Sequence, residues 1–195
     1  MARTAEYHRK TSETEVSLEI NVDGRGAADI STTIPFLDHM LTLFARHSLI
    51  DVTLKGNGDT TVDDHHLVED IGLCLGESVK AAAGNKEGIR RYGEATAPMD
   101  ESLCRVAVDV SGRPYLVYRM DFKGKKLGNF DPALLREFFK AFSDHSGITL
   151  HINLAYGNNG HHMAEATFKA FALAMRGALA SDERREGVPS TKGSL

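Results

Sequence analysis

The sequence predicts an α+β fold with an internal duplication: two similar halves, each a small, mainly antiparallel sheet with two helices on one face. Three observations predict it. Apolar alternation of period two is followed by apolar spacing of period 3.6 in both halves. The order strand–strand–helix–strand–helix occurs twice. Short segments also repeat: Phe44-Ala45-Arg46-His47-Ser48 matches Phe142-Ser143-Asp144-His145-Ser146 at an offset of 98, and His65-His66-Leu67-Val68-Glu69 matches His161-His162-Met163-Ala164-Glu165 at an offset of 96. The small difference falls in a Gly/Asn-rich loop, where length changes are cheap. Hairpins followed by helices favour this layout over a doubly wound parallel sheet. Residues 1–90 make the first repeat and 91–195 the second, together one compact unit.

In the first half, Glu15 to Val22 alternates, with Val16, Leu18, Ile20 and Val22 on one face. Asp23-Gly24-Arg25-Gly26 is a turn, and Ala27 to Thr33 is expected to return as the hairpin partner. Phe36, Met40, Leu43 and Phe44 mark a helix ending near His47. Ile50 to Lys55 reads as a strand, and His65 to Ala83 as a longer helix stopped by Gly84-Asn85. In the second half, Arg105 to Val110 alternates, Ser111-Gly112-Arg113-Pro114 turns, and Tyr115 to Phe122 is expected to pair back. Asp131-Pro132 opens a helix running to about His145. Ile148 to Leu154 is a strand and His161 to Ala180 the final helix.

Composition narrows the function classes. The chain has 195 residues, 42% hydrophobic and 26% charged, with a formal net charge of −4. An acidic balance disfavours a non-specific nucleic-acid binder. No apolar run is long enough for a membrane span, and no secretory leader is readable at the N-terminus. The expected location is therefore the cytoplasm. Cys74 and Cys104 are isolated, so neither a disulfide framework nor a thiolate zinc site is expected. Nine histidines against two cysteines raise a metal question instead.

The chemistry-bearing motif is His-His-x-x-Glu, present twice at helix starts. Nine His and thirteen Glu would produce roughly 0.03 copies by chance. Residues three or four apart share a helix face, so His66 with Glu69, and His162 with Glu165, can chelate an ion. Adjacent residues point about 100° apart, which leaves His65 and His161 facing elsewhere. Two such motifs brought together could exchange their spare imidazoles and build two sites. Imidazole plus carboxylate suits manganese, iron or zinc, and the lack of thiolate lowers zinc's share. The repeat offset carries His39 onto Glu137, which is either a further ligand or a solvated helix carboxylate. His47 and His145, also equivalent, either line a site or cap their helices. His8 and His151 sit in strand-like segments and read as structural.

These stretches resemble a known family. Val62 to Gly72, with Asp63-Asp64-His65-His66-Leu67-Val68-Glu69, is similar to the first signature of the imidazoleglycerol-phosphate dehydratases. Gly157 to Lys169, with Asn158-Asn159-Gly160-His161-His162, is similar to the second. The likeness extends to Phe36-Leu37-Asp38-His39-Met40, Arg90-Arg91-Tyr92-Gly93 and Pro189-Ser190-Thr191-Lys192-Gly193. It implies dehydration of imidazoleglycerol phosphate to imidazoleacetol phosphate in histidine biosynthesis, through an imidazolate held between two manganese ions. One ion is implied at His39, His66, Glu69 and His161. The other is implied at His65, His162, Glu165 and position 137, where the family carries His and this chain Glu137.

The resemblance also implies Glu13 and His47 as catalytic residues, Glu13 for proton transfer, with Glu13, His39 and His47 contacting substrate. Arg91, Arg113, Lys169 and Lys192 would take the phosphate, with hydroxyls from Ser190 and Thr191 in a substrate-binding tail. It further implies a homo-oligomeric shell of about 24 subunits with sites at subunit contacts. Other dinuclear-metal enzymes fit less well: the di-iron bundle pattern is Glu-x-x-His on four long helices, and no His-Glu-x-x-His of a zinc protease occurs. A metal-stapled assembly protein would have no need for the phosphate-binding cations.

Overall fold

The computed structural model describes residues 2–124 and 127–195. Three strands open the chain: β1 (Thr4–Lys10), β2 (Thr14–Asn21) and β3 (Ala28–Ser31). They are followed by α1 (Pro35–Ser48), β4 (Asp51–Gly58) and α2 (His65–Ala83). The same order then recurs as β5 (Tyr92–Met99), β6 (Ser102–Asp109), β7 (Tyr115–Arg119), α3 (Leu134–Ser146), β8 (Thr149–Tyr156) and α4 (Gly160–Leu179). The first sheet runs β1-β2-β4-β3 and the second β5-β6-β8-β7. In each, two antiparallel pairings are followed by one parallel pairing. The expected duplicated α+β fold is therefore present.

Each sheet buries one face. Val16, Leu18 and Ile20 of β2 point inward while Glu15, Ser17 and Glu19 face out, so strand alternation and burial agree. α1 and α2 lie against the first sheet, and α3 and α4 against the second; the halves meet helix to helix, α1 with α4 and α2 with α3. One hydrophobic cluster spans both halves. Phe44 of α1 stacks on Phe171 of α4 with ring centroids 5.1 Å apart. Gly72 and Gly76 of α2 let α3 approach closely. A Cβ on Gly72 would sit 2.5 Å from the Phe138 carbonyl oxygen, and one on Gly76 2.7 Å from that of Phe142.

Two details differ from the sequence expectation. Ala27–Thr33 does not form a hairpin with the preceding strand. Its strand β3 pairs parallel to β4, which lies between it and β2. Asp51 at the start of β4 is the local cause: its Oδ1 accepts the backbone N–H groups of Arg25 and Ala27, both at 2.8 Å, and draws the connection across the end of β4. Tyr115–Arg119 behaves in the same way, running parallel to β8. A parallel neighbour needs a crossover, and α1 and α3 supply it.

The other difference is β1 and β5, which apolar alternation does not reveal. Both are edge strands. The inward positions of β5 are Gly93, Ala95 and Ala97 because α4 lies directly on them: a Cβ on Gly93 would be 2.0 Å from the Ala174 carbonyl oxygen. Pro98 is tolerated because an edge strand need not donate from every N–H.

Candidate metal centre and anion cleft

The side chains at the start of α4 are held before any ligand is considered. Asn159 caps the helix, its Oδ1 accepting from the N–H of His161 at 2.9 Å and of His162 at 3.5 Å. One turn later Glu165 is buried. Its Oε1 lies 2.9 Å from His161 Nε2 and 3.1 Å from Nε2 of His39, which α1 brings alongside. Lys169 Nζ donates to Oε2 at 2.7 Å. Burial pushes the Glu165 carboxyl up, but the hydrogen bonds from Lys169, His39 and His161 outweigh it and hold it down at about 2. The ligand atoms of His39, His161 and Glu165 all lie within 4.8 Å of one another. Two imidazoles and an ionised carboxylate are a donor set that fits a divalent first-row metal.

A second group forms at the start of α2. His66 Nδ1 lies 3.1 and 3.2 Å from the two Asp59 oxygens, and 3.7 Å from Oε2 of Glu13 at the exposed β1–β2 turn. The Asp59 hydrogen bond raises the His66 pKa, with Glu13 adding to it. Glu13, Asp59 and His66 again converge within 4.8 Å. Asp59 was not singled out from the sequence; its place seven residues before His66, across a loop, carries no helical spacing to reveal it.

Inside the chain the close motif pairs are i,i+4, one residue wider than the expected chelates. His161 meets Glu165 as above, and His65 Nε2 stands 3.9 Å from Glu69. His162 turns instead to Glu101, whose Oε2 is 2.7 Å from its Nδ1. That contact raises the His162 pKa and pulls the Glu101 carboxyl well below the usual range. Of the residues expected at the first ion, His39 and His161 meet, while His66 and Glu69 lie at the start of α2. Of those expected at the second, Glu165 joins His39 and His161 of the first within one chain, and Glu137 sits in the first turn of α3, where Arg136 Nη1 is 3.1 Å from it. His47 occupies the last turn of α1, eight residues from His39, which is about 12 Å along a helix.

The expected phosphate-binding residues divide. Arg91, Arg113, Ser190, Thr191 and Lys192 line one cleft of about 1000 Å³, with Arg184 and Arg185 on its wall. Those two arginines were not picked out by sequence reasoning; the signal was their adjacency just ahead of the tail. Arg91 grips Asp109 through Nε at 2.7 Å and Nη2 at 3.2 Å, and its Nη1 donates to the Pro189 carbonyl at 2.8 Å, fastening the tail. Arg113 is exposed, with its Nη2 3.7 Å from Asp109. Lys169 is absent from this cleft and belongs to Glu165.

Cleft and metal-type cluster lie at opposite ends of α4. The Arg91 backbone N–H donates to the Ala178 carbonyl at 2.9 Å, whereas His161 is the second residue of that helix. Seventeen residues of helix separate His161 from Ala178, about 25 Å.

The chain resembles proteins of one kind throughout its length. A family model described as Imidazoleglycerol-phosphate dehydratase matches residues 32–175. An imidazoleglycerol-phosphate dehydratase of Syntrophus aciditrophicus is 63% identical over 194 residues, covering 99% of this chain and 98% of that protein. One of Pelobacter propionicus is 57% identical over 195 residues, covering 100% of both. Among solved structures, the imidazoleglycerol-phosphate dehydratase of Staphylococcus aureus superposes with a TM-score of 0.83 at 39% identity, covering 92% of this chain and 99% of the other. The enzyme of Pyrococcus furiosus, in complex with (S)-C348, gives 0.84 at 37% identity, covering 97% and 100%. By the extent of the family match and the identity of these full-length relatives, this chain belongs to the imidazoleglycerol-phosphate dehydratase family.

Proposed function

We propose that this chain dehydrates imidazoleglycerol phosphate to imidazoleacetol phosphate in histidine biosynthesis, in the cytoplasm, as a manganese-dependent hydro-lyase. The observation that carries this reading is the pairing of an imidazole–carboxylate cluster, His39, His161 and Glu165, with a cleft lined by five cationic side chains. A substrate with an imidazole at one end and a phosphate at the other calls for both.

About 25 Å of helix separates the two features in one chain, too far for one small molecule to span. Each site is therefore completed by neighbouring copies, consistent with a shell of about 24 subunits in which the cleft of one copy faces the cluster of another. His39, His66, Glu69 and His161 would hold one manganese ion, and His65, His162, Glu165 and Glu137 the other. When bound, the ions supply Lewis acidity and an orienting template to the substrate's ring, stabilising the negative charge it carries once deprotonated.

The side chains do the rest. Lys169 keeps Glu165 ionised. Glu13 moves the proton of the carbon beside the ring, a role supported by its exposure at the turn with Oε2 3.7 Å from His66. His47 and His39 contact the substrate. Arg113, Lys192, Ser190 and Thr191 bind the phosphate, and Arg91 positions the tail that carries three of them. A metal-stapled assembly protein would leave the cationic cleft without a role. The test is turnover of imidazoleglycerol phosphate by metal-free and manganese-loaded protein. Turnover only with manganese is expected, and no turnover in either state overturns the reading. Glu69→Gln is expected to lose both bound manganese and activity; full activity at unchanged manganese affinity would displace the assigned site.

A further inference from the structure

The duplication reaches further back than the His-His-x-x-Glu motifs. β2 and β6 begin at Thr14 and Ser102, an offset of 88 that the extra length between β7 and α3 later widens. At that offset Glu13, in the β1–β2 turn, is the counterpart of Glu101, in the two-residue β5–β6 turn closed by the Met99–Ser102 pairing. Both carboxylates face Nδ1 of the second histidine of their half's motif. Their engagement differs. Glu13 stands 3.7 Å from His66 Nδ1, and Asp59 takes the hydrogen bond at 3.1 Å. Glu101 takes it directly at 2.7 Å.

Glu101 is saturated. Its Oε1 accepts the backbone N–H groups of Asn158 at 3.1 Å and Asn159 at 2.8 Å, and the Ser102 hydroxyl at 3.0 Å. Asn159 is the residue that caps α4. One side chain therefore ties down the loop before the motif and one face of the His162 ring. Asp100 beside it holds a positive φ of 47°, the left-handed state that a two-residue hairpin turn calls for and that Asp tolerates.

We propose that Glu101 is a positioning residue. By accepting the Nδ1–H of His162 it fixes, in the neutral ring, the tautomer in which Nε2 carries the free lone pair, and so presents Nε2, which otherwise has only Asp100 Oδ2 nearby among the described residues, at 3.8 Å, to a metal ion. A carboxylate cannot donate when ionised, so the proton between the two atoms belongs to His162. Such a partner sets both the tautomer and the orientation of a ligating imidazole. In the first half Asp59 performs this task for His66, and Glu13 stands behind it at 3.7 Å. The two equivalent carboxylates are thus engaged differently, Glu101 by a direct hydrogen bond to its histidine and Glu13 at 3.7 Å from its own. The consequence for metal binding rests on the manganese reading above; the tautomer assignment does not.

The test compares wild-type protein with Glu101→Gln. The amide keeps an oxygen for the Asn158 and Asn159 N–H groups, so the loop stays capped. Its NH2 group turns to His162 Nδ1, which must then accept, moving the proton to Nε2. Histidine 15N NMR of sedimented, metal-free protein, followed upward in pH until the His162 ring is neutral, reads the tautomer, with the His162 resonance assigned by its loss in His162→Asn. Manganese alone, titrated with free ion followed by electron paramagnetic resonance, reads affinity. Expected are Nδ1–H at His162 in wild type, the inverted tautomer in Glu101→Gln, and a roughly 10–100-fold loss of manganese affinity at one of two classes of site. An Nε2–H tautomer in wild type overturns the proposal, even if the variant does not fold. So does unchanged manganese affinity in a folded variant. If wild type takes up no manganese, the functional reading fails, and the tautomer comparison still decides the role of Glu101.

Discussion

Arg91 and His161 stand at opposite ends of α4: Arg91 bonds through its N–H to Ala178 in the last turn, and His161 occupies the first. A rigid helix fixes their separation at about 25 Å, so no motion of side chains within one chain unites them.

Complementation between inactive variants follows from that separation. Arg113→Ala spoils the cleft and Glu69→Gln the metal cluster, on different copies. When the two proteins are dissociated, mixed equally and reassembled with manganese, roughly a quarter of the sites regain both intact parts under random assembly. Activity that neither variant has alone is expected in a turnover assay. A mixture as inactive as its components would place both parts of the site on one chain.

Arg91 lines the cleft and also holds structure together. Arg91→Met leaves Asp109 partly buried without its two hydrogen bonds and frees the Pro189 carbonyl. Removing one partner of a buried pair is strongly destabilising, and about 3 kcal/mol is expected in urea unfolding. Arg113→Met, exposed, is expected to change stability by less than about 0.5 kcal/mol while still weakening substrate binding.

Helix–sheet contact distances set opposite signs for two neighbouring glycines. A Cβ on Gly93 meets the Ala174 carbonyl at 2.0 Å, whereas one on Gly177 meets only the Gly93 Cα at 3.6 Å. Gly93→Ala is expected to cost about 1–3 kcal/mol through overpacking. Gly177→Ala is expected to stabilise α4 by up to about 1 kcal/mol, because alanine is the better helix former. Thermal unfolding checks both, with Tm moving in opposite directions.

The two thiols report on the core. Cys74 and Cys104 are free and fully buried. Burial pushes their pKa values up to about 12 and about 11, so thiolate is scarce and alkylation at pH 8 is expected only after unfolding. The same shifts set a pH trend. In the unfolded chain the thiols ionise near 9, while in the folded protein they stay protonated. Their contribution to stability is complete below 9 and falls as pH rises from there through about 11 and 12. Urea midpoints measured at increasing pH above 9 should fall, less so in a Cys74→Ala, Cys104→Ala protein.

Much of the site was legible because its residues repeat. His65, His66 and Glu69 match His161, His162 and Glu165 at one offset, and helix geometry limits what each pair can reach. Glu101 and Asp59 were not legible. Each acts across a turn on a histidine that is close in space only because a hairpin or loop folds back, and no local period records that. The resemblance makes Lys169 a phosphate ligand, and its bond to Glu165, one helical turn away, is a contact that i,i+4 spacing allows.

The amino-acid sequence alone determined the helices, the inner strands β2, β4, β6 and β8, the duplication and the paired motif, since periodicity and repeats are properties of the chain itself. The tertiary structure decided the parallel pairing of β3 and β7, because the Asp51 hydrogen bonds and the crossover helices act between residues distant in sequence. It also revealed the edge strands β1 and β5, the second with a glycine and alanine face that answers to the close approach of α4 rather than to hydrophobicity. The fold alone set the metal-type cluster and the anion cleft at the two ends of α4, since only packing establishes distances between elements.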